Sequence, residues 1–367
     1  MGESVLHDAE NSAITGSLSR LPSLDGWRGV AIILVLLSHW WATDGAGHLP
    51  GWITPFTKNG DLGVRIFLTL SGFLITNLLL SENLRKGTIS LPRFYARRAL
   101  RIFPVYFAFL SVLFTLTLLG IYEDEASTWI GSLTFTRNFI GRGDSATGHL
   151  WSLAVEEQFY LLWPLAMVVF KLASRPQLAI FALLGAAIAA FVLRAISCTG
   201  DDHLICLRIL GPKSLFLYMD SLGLGCVGAF VLVYLRYWVE SAAFLAFTPC
   251  LLLFVFSALL SPANSIEMSG LILLQATLVS LCLMFSIVSK QNIIFVILNM
   301  SAMNVLGVLS YSIYIWHTLF LSHYMKFTNP IFVYDWRLWF VAAFSLAACS
   351  YYLFERPLLR LRGYFRR

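Results

Sequence analysis

Asp25-Gly-Trp-Arg28-Gly-Val-Ala-Ile-Ile-Leu-Val-Leu-Leu-Ser-His39 is an apolar run with a cation near its start and an imidazole at its end. Read as a helix, its eleven-residue spacing from Arg28 to His39 is about three turns, so the two side chains share a face and stand roughly 16 Å apart along the axis. An arginine and a histidine on one face of a membrane span are unfavourable there and mark function. Asp25 lies on nearly the same face and Ser38 sits beside the histidine. The run is long enough to cross a bilayer, and it sets the pattern for the rest of the chain.

The 367 residues are 58% hydrophobic and 13% charged, against about 25% charged in soluble domains. Apolar runs recur near 24–42, 60–80, 99–120, 149–170, 177–196, 214–235, 242–260, 268–289, 305–325 and 335–354. The expected fold is an all-α polytopic membrane bundle of about ten transmembrane helices. Basic residues set its orientation. Arg85, Lys86, Arg93, Arg97, Arg98, Arg101 and the tail from Arg356 outweigh Lys58, Arg137, Arg142 and Lys213 on the opposite side, so both termini are expected in the cytoplasm. The net charge of +6 then reads as topology, and no nucleic-acid motif competes with it. The first twenty residues lack the pattern of a cleaved signal. Four cysteines fall within spans as small apolar fillers. Cys198 and Cys206 share one outer loop, where an oxidising compartment allows a disulfide that spacing leaves open. The loops 43–59, 81–98 and 121–148 are the longest; the first and third are outer, with a composition suited to shaping a site, and the second is inner and basic.

Three constellations carry chemistry. His39, near its intrinsic pKa, can take a proton from a hydroxyl, though a buried histidine can also serve as packing glue. Arg93-Phe-Tyr-Ala-Arg97-Arg98-Ala-Leu-Arg101-Ile-Phe-Pro104 places Arg97 and Arg101 one turn apart; guanidinium pairs bind phosphates by forked hydrogen bonds, and the same cluster can be a topology anchor or a lipid-headgroup site. His149-Leu-Trp151-Ser152-Leu-Ala-Val-Glu156-Glu157-Gln-Phe-Tyr160 puts two glutamates inside a span, where they need a cavity or a partner. Glu156 shares a face with Tyr160, while Glu157 points about 100° away. Either can orient His39 or pair with a buried arginine. Asp61 and Arg65 with Ser71-Gly72, Arg194, Asp220, and His317 after Tyr314 add polar groups on other spans, which implies a polar interior. Arg194 reads as structural. Gly223-Leu-Gly225-Cys-Val-Gly228 matches a dinucleotide fingerprint as a string, but it lies in a span with no preceding strand, so it reads as close helix packing.

Taken in order, these segments resemble the acyltransferase family 3 of membrane proteins: Leu24-Asp-Gly-Trp-Arg28-Gly with His39, Gly63-Val-Arg-Ile-Phe-Leu-Thr-Leu-Ser71-Gly72, the Arg93–Pro104 and Trp151–Tyr160 pieces, Met219-Asp220-Ser-Leu-Gly-Leu-Gly225, Leu309-Ser-Tyr-Ser-Ile-Tyr314-Ile-Trp-His317 and Phe354-Glu355-Arg356-Pro357. The resemblance implies O-acylation, commonly acetylation, with cytoplasmic acetyl-CoA or another acyl-CoA as donor, no metal, and an outer-side glycan as acceptor. A surface polysaccharide or lipopolysaccharide sugar is the leading class; a small molecule such as a macrolide is the alternative. It implies residence in the cytoplasmic (inner) membrane, a cytoplasmic segment 1–23, a membrane acyltransferase domain 24–357 and a basic cytoplasmic tail 358–367. It implies His39, Arg28 and Glu156 as the catalytic group, with His39 as general base and Glu156 steadying its imidazolium. Arg93, Arg97, Arg98 and Arg101 would hold the donor. Asp25, Ser71, Trp151, Glu157, Tyr160, Asp220, Tyr314 and His317 would line the substrate cavity. Direct transfer and an acyl-enzyme both remain open. Arg65 stands where many relatives carry an acidic residue, and the chain is expected to end at its last span, without the hydrolase-like domain fused to some relatives. A transporter or flippase with a polar path is the rival class; it leaves the inner arginines as topology alone.

Overall fold

The quoted run is one continuous helix, α1 (Pro22–Thr43), in the computed structural model of the chain, which describes residues 22–43, 54, 60–140, 145–197, 213–289, 292–321 and 336–361. It is followed by α2 (Gly60–Lys86), α3 (Leu91–Leu118), the short α4 (Ala126–Leu133), α5 (Leu150–Val169), α6 (Pro176–Ser197), α7 (Met219–Tyr234), α8 (Arg236–Ser257), α9 (Ser265–Val288), the short α10 (Ile293–Leu298), α11 (Ser301–Trp316), α12 (Trp336–Cys349) and α13 (Arg356–Arg360). A π-helical stretch, Ser350–Glu355, joins the last two. There is no strand among the described residues. Cys198 and Cys206, and most of the 43–59 loop, lie outside those residues.

Among the described residues, seven helices are long and apolar enough to cross a membrane, and they coincide with seven of the ten expected runs. The runs near 24–42 and 149–170, and the described part of that near 305–325, are helical too, in α1, α5 and α11, but fall outside that set. α11 is 16 residues long. α1 and α5 have the length, 22 and 20 residues, and fall short in apolarity because of Asp25, Arg28 and His39 in one and Glu156, Glu157 and Gln158 in the other. Three of the helices that carry candidate chemistry thus fall outside that set, while α2 and α3, with Ser71, Arg98 and Arg101, fall within it. The outer faces are strongly apolar: Phe181, Phe244, Leu245 and Leu353 are 72% to 88% exposed, the inverse of a water-soluble surface and suited to lipid.

α1, α2 and α7 form a wall between two cores. Ile32, Val35 and Leu36 of α1, Val64, Leu68 and Ile75 of α2, and Leu222, Cys226 and Phe230 of α7 face a core shared with α3, α5 and α11. On the opposite faces, Trp27, Ala31 and Leu34, Leu62, Ile66 and Phe73, and Ala229 and Leu232 face a core shared with α8 and α9. The 3.6-residue period sorts each helix between the two. Backbones approach closely where the wall is made. A Cβ on Gly225 would stand 2.1 Å from the Thr69 carbonyl oxygen, and one on Gly72 2.1 Å from that of Leu222. This is the crossing of α2 and α7, and it explains the glycine string of α7 as packing. A Cβ on Gly307 would stand 1.8 Å from the Asp25 carbonyl oxygen, which brings α11 equally close to α1.

The expected inner loop 81–98 is almost entirely helix. Gly87, at φ +68°, ends α2, and its N–H donates to the Asn83 carbonyl at 2.8 Å. Pro92 then sits in the first turn of α3, where its missing N–H has no helical partner to lose. The basic segment therefore belongs to α3. The 121–148 segment also folds, around α4 and a turn at Arg137–Phe139. Arg137 is 1% exposed and donates to the Ile140 carbonyl at 2.8 Å and Ser145 Oγ at 3.2 Å. Burial pushes this guanidinium below its ordinary value, and Asp124 opposes the shift. Asn138 and Gln158 bind each other's amides, which docks this cap on α5.

Candidate active site

Arg28 of α1, Ser71 of α2, Arg98 and Arg101 of α3, Glu156 and Tyr160 of α5 and Tyr314 of α11 converge on an internal cavity with about 770 Å³ of empty space. Arg28 Nη1 is 2.6 Å from Asp25 Oδ1, one turn earlier, so Asp25 acts as its anchor. Glu156 is held on both oxygens: Ser71 Oγ donates to Oε1 at 2.6 Å, and the Tyr160 hydroxyl lies 3.3 Å from Oε2 and 2.9 Å from Ser71 Oγ. The Arg98 guanidinium lies over the Tyr160 ring, 5.1 Å from its centroid, a cation–π contact that orients it. Three guanidinium groups stand against two carboxylates, Glu156 and the Asp25 that holds Arg28, which leaves the cavity a net excess of positive charge. It can accept an anion.

The four expected donor arginines divide. Arg98 and Arg101, at i and i+3, share the cavity face. Arg97 points about 100° away from Arg98 on the helix, and its Nη2 lies 3.3 Å from Glu82 Oε2, where it ties α3 to α2. Arg93 is exposed at the start of α3. The expected pairing of Arg97 with Arg101 gives way to Arg98 with Arg101 because Glu82 captures the other arginine.

His39 lies at the opposite end of α1 from Arg28, beyond the Tyr314 side of the cavity. Its ring meets that of His317 edge-on at 4.6 Å between centroids, and His317 in turn meets His149 at 5.2 Å. Tyr314 separates the two regions: its hydroxyl donates to the His149 carbonyl at 2.7 Å and lies 2.5 Å from Ser152 Oγ. Glu156 is two turns along α5 from His149 and is engaged by Ser71 and Tyr160, so the expected pairing of Glu156 with His39 is not formed. Although three imidazoles gather here, no group of His, Cys, Asp or Glu among the described residues is disposed to hold a metal ion.

The remaining expected cavity residues take other places. Asp220 is fully buried in an ion pair with Arg194, and its Oδ1 accepts from the Ser221 N–H at 2.7 Å; it joins α6 to α7 instead of lining the cavity. Glu157 stands off the cavity face, as its register predicts. Trp151 packs 5.0 Å from the Tyr218 ring, and the Lys213 ammonium lies 4.2 Å over it, beneath the cap. Burial lowers the Lys213 pKa, with Asp61 opposing. Arg65 is buried, 3.8 Å from Asp61. Sequence reasoning gave no site role to His149, the first residue of its third constellation, or to Lys213, whose contact with Trp151 joins the turn before α7 to α5.

The fold and its cavity define a polytopic helical membrane protein with an internal polar chamber lined by arginines. Residues 21–356 match the acyltransferase domain of the acyltransferase 3 family, and the chain belongs to that family. It is 28% identical to the peptidoglycan O-acetyltransferase OatA of Listeria monocytogenes over 94% of this chain and 56% of that protein. It is 27% identical to the O-acetyltransferase OatA of Staphylococcus aureus over 94% of this chain and 58% of that protein. The chain thus spans somewhat over half the length of these relatives. No solved structure matches it.

Proposed function

We propose that the chain moves an acyl group, acetyl in the first instance, from a cytoplasmic acyl-CoA to a glycan hydroxyl on the outer side of the cytoplasmic membrane. The observation that carries this is the arrangement along α1: three arginines, Arg28, Arg98 and Arg101, gather in a cavity at one end, and His39 stands on the same helix about 16 Å further on. The arginines hold the donor's phosphates by forked hydrogen bonds. The pantetheine arm runs past Tyr314 and presents the thioester to His39. His39 takes the proton of the acceptor hydroxyl as its oxygen attacks the thioester carbonyl. A C–O bond forms, the C–S bond breaks, and the departing thiolate takes the proton back from His39. Glu156, with Ser71 and Tyr160, shapes the cavity and balances part of its charge. A glycan acceptor is supported by the names of the relatives, one of which is a peptidoglycan O-acetyltransferase.

The test uses membranes containing the chain, radiolabelled acetyl-CoA and peptidoglycan fragments. Wild-type protein is expected to label the glycan, and His39→Ala to lower the rate by at least ~100-fold, the contribution of a general base. Undiminished labelling by His39→Ala would remove His39 from the chemistry.

A further inference from the structure

His317 is fully buried just past the end of α11, and its ring touches two other imidazoles, those of His39 and His149. Its Nδ1 lies 2.8 Å from the Tyr314 carbonyl oxygen. A carbonyl can only accept, so Nδ1 carries the proton of the neutral ring, and Nε2 is left as an acceptor. That Nε2 is buried and has no hydrogen-bond partner. A buried acceptor without a donor is unfavourable, and in a native structure it points to a partner met in the working state. Two imidazoles adjoin it, and that of His39 is the nearer, at 4.6 Å between centroids against 5.2 Å for His149.

We propose that His317 is the positioning residue of His39. In the working enzyme its Nε2 accepts the N–H of His39, which fixes the tautomer of His39 and leaves the lone pair of its other nitrogen for the acyl acceptor's hydroxyl. The chain of hydrogen bonds runs from the Tyr314 carbonyl through His317 to His39. A buried carboxylate performs the same orienting task for a histidine base in hydrolytic triads. Here Glu156 is committed to Ser71 and Tyr160, and a neutral imidazole sets the direction without a second buried charge. His149 supports the pair from the other side: its ring packs on His317 and on Tyr314, and its carbonyl holds the Tyr314 hydroxyl. This inference rests on the reading of His39 as the base.

The test has two readouts on the full chain. Nitrogen-15 spectra of histidine-labelled protein in lipid nanodiscs are expected to show His317 protonated at Nδ1 and His39 in one neutral tautomer, which becomes a mixture in His317→Phe. The turnover of acetyl-CoA with peptidoglycan fragments is expected to fall on the order of 100-fold in His317→Phe, with KM for acetyl-CoA unchanged. His317→Gln, which returns an acceptor near the Nε2 position, is expected to recover part of the rate. A mixed His39 tautomer in the wild type, an unchanged turnover in His317→Phe, or no recovery with His317→Gln overturns the proposal. A wild type that transfers no acetyl group contradicts the acyl-transfer reading instead, and the wild-type tautomers still decide the contact between the two histidines.

Discussion

Arg98 reaches the cavity and stacks on Tyr160, while Arg97, one residue earlier, is held 3.3 Å from Glu82. The sequence offers the cluster as a candidate phosphate site without marking which arginines face inward, because that depends on the rotation of α3. Pro92 and Glu82 set the rotation, and Glu82 lies on the preceding helix. The same holds for Asp220. Its segment is part of the family pattern, which suggested a cavity residue, yet the carboxylate is spent on Arg194. Replacing Asp220 by Ala leaves the largely buried Arg194 charge without its partner, and breaking such a pair destabilises by about 3–5 kcal/mol. The expected result is a marked loss of thermal stability in detergent. A variant that melts like the wild type would show that the pair is not structural.

At the level of helices, the apolar runs were legible because a span announces itself by length and composition. The face of each helix was legible where one polar residue stood among apolar ones, as for Arg28 with His39 and for Glu156 with Tyr160. The contact of His39 with His317 was not, because no local period links the start of the bundle with its end. The folding of 81–98 into two helices was hidden by its charge, which reads as loop until Gly87 and Pro92 are seen as a stop and a start. The glycines of α7 carry a prediction. Gly225→Leu drives a side chain into the Thr69 carbonyl, where a Cβ would already stand 2.1 Å away, and overpacking of this kind destabilises by about 1–3 kcal/mol or more. Gly185→Ala in α6 meets nothing within 4 Å and gains helix propensity. Folded yield by size-exclusion chromatography should drop for the first and hold for the second; equal yields would refute the close crossing.

For the whole molecule, the polar groups form two regions along one bundle, a cationic cavity and a histidine cluster, divided by Tyr314 and Ser152. The wall of α1, α2 and α7 fixes their separation, since all three helices are locked by close backbone contact. A membrane enzyme that takes its donor from one side and its acceptor from the other needs such a fixed span. A transport path would instead need that wall to open. The cap built on Arg137 and docked through Asn138 and Gln158 covers the end where His149 and Lys213 lie. The central claim is that Arg98 and Arg101 hold the acyl donor. Its most direct test is equilibrium binding of acetyl-CoA to the purified chain beside Arg98→Ala, Arg101→Ala and Arg97→Ala. The account predicts saturable binding, weakened ~10–100-fold by each of the first two, the worth of a hydrogen-bonded charge, and nearly unchanged by the third. Equal losses in all three, or none in any, would contradict it.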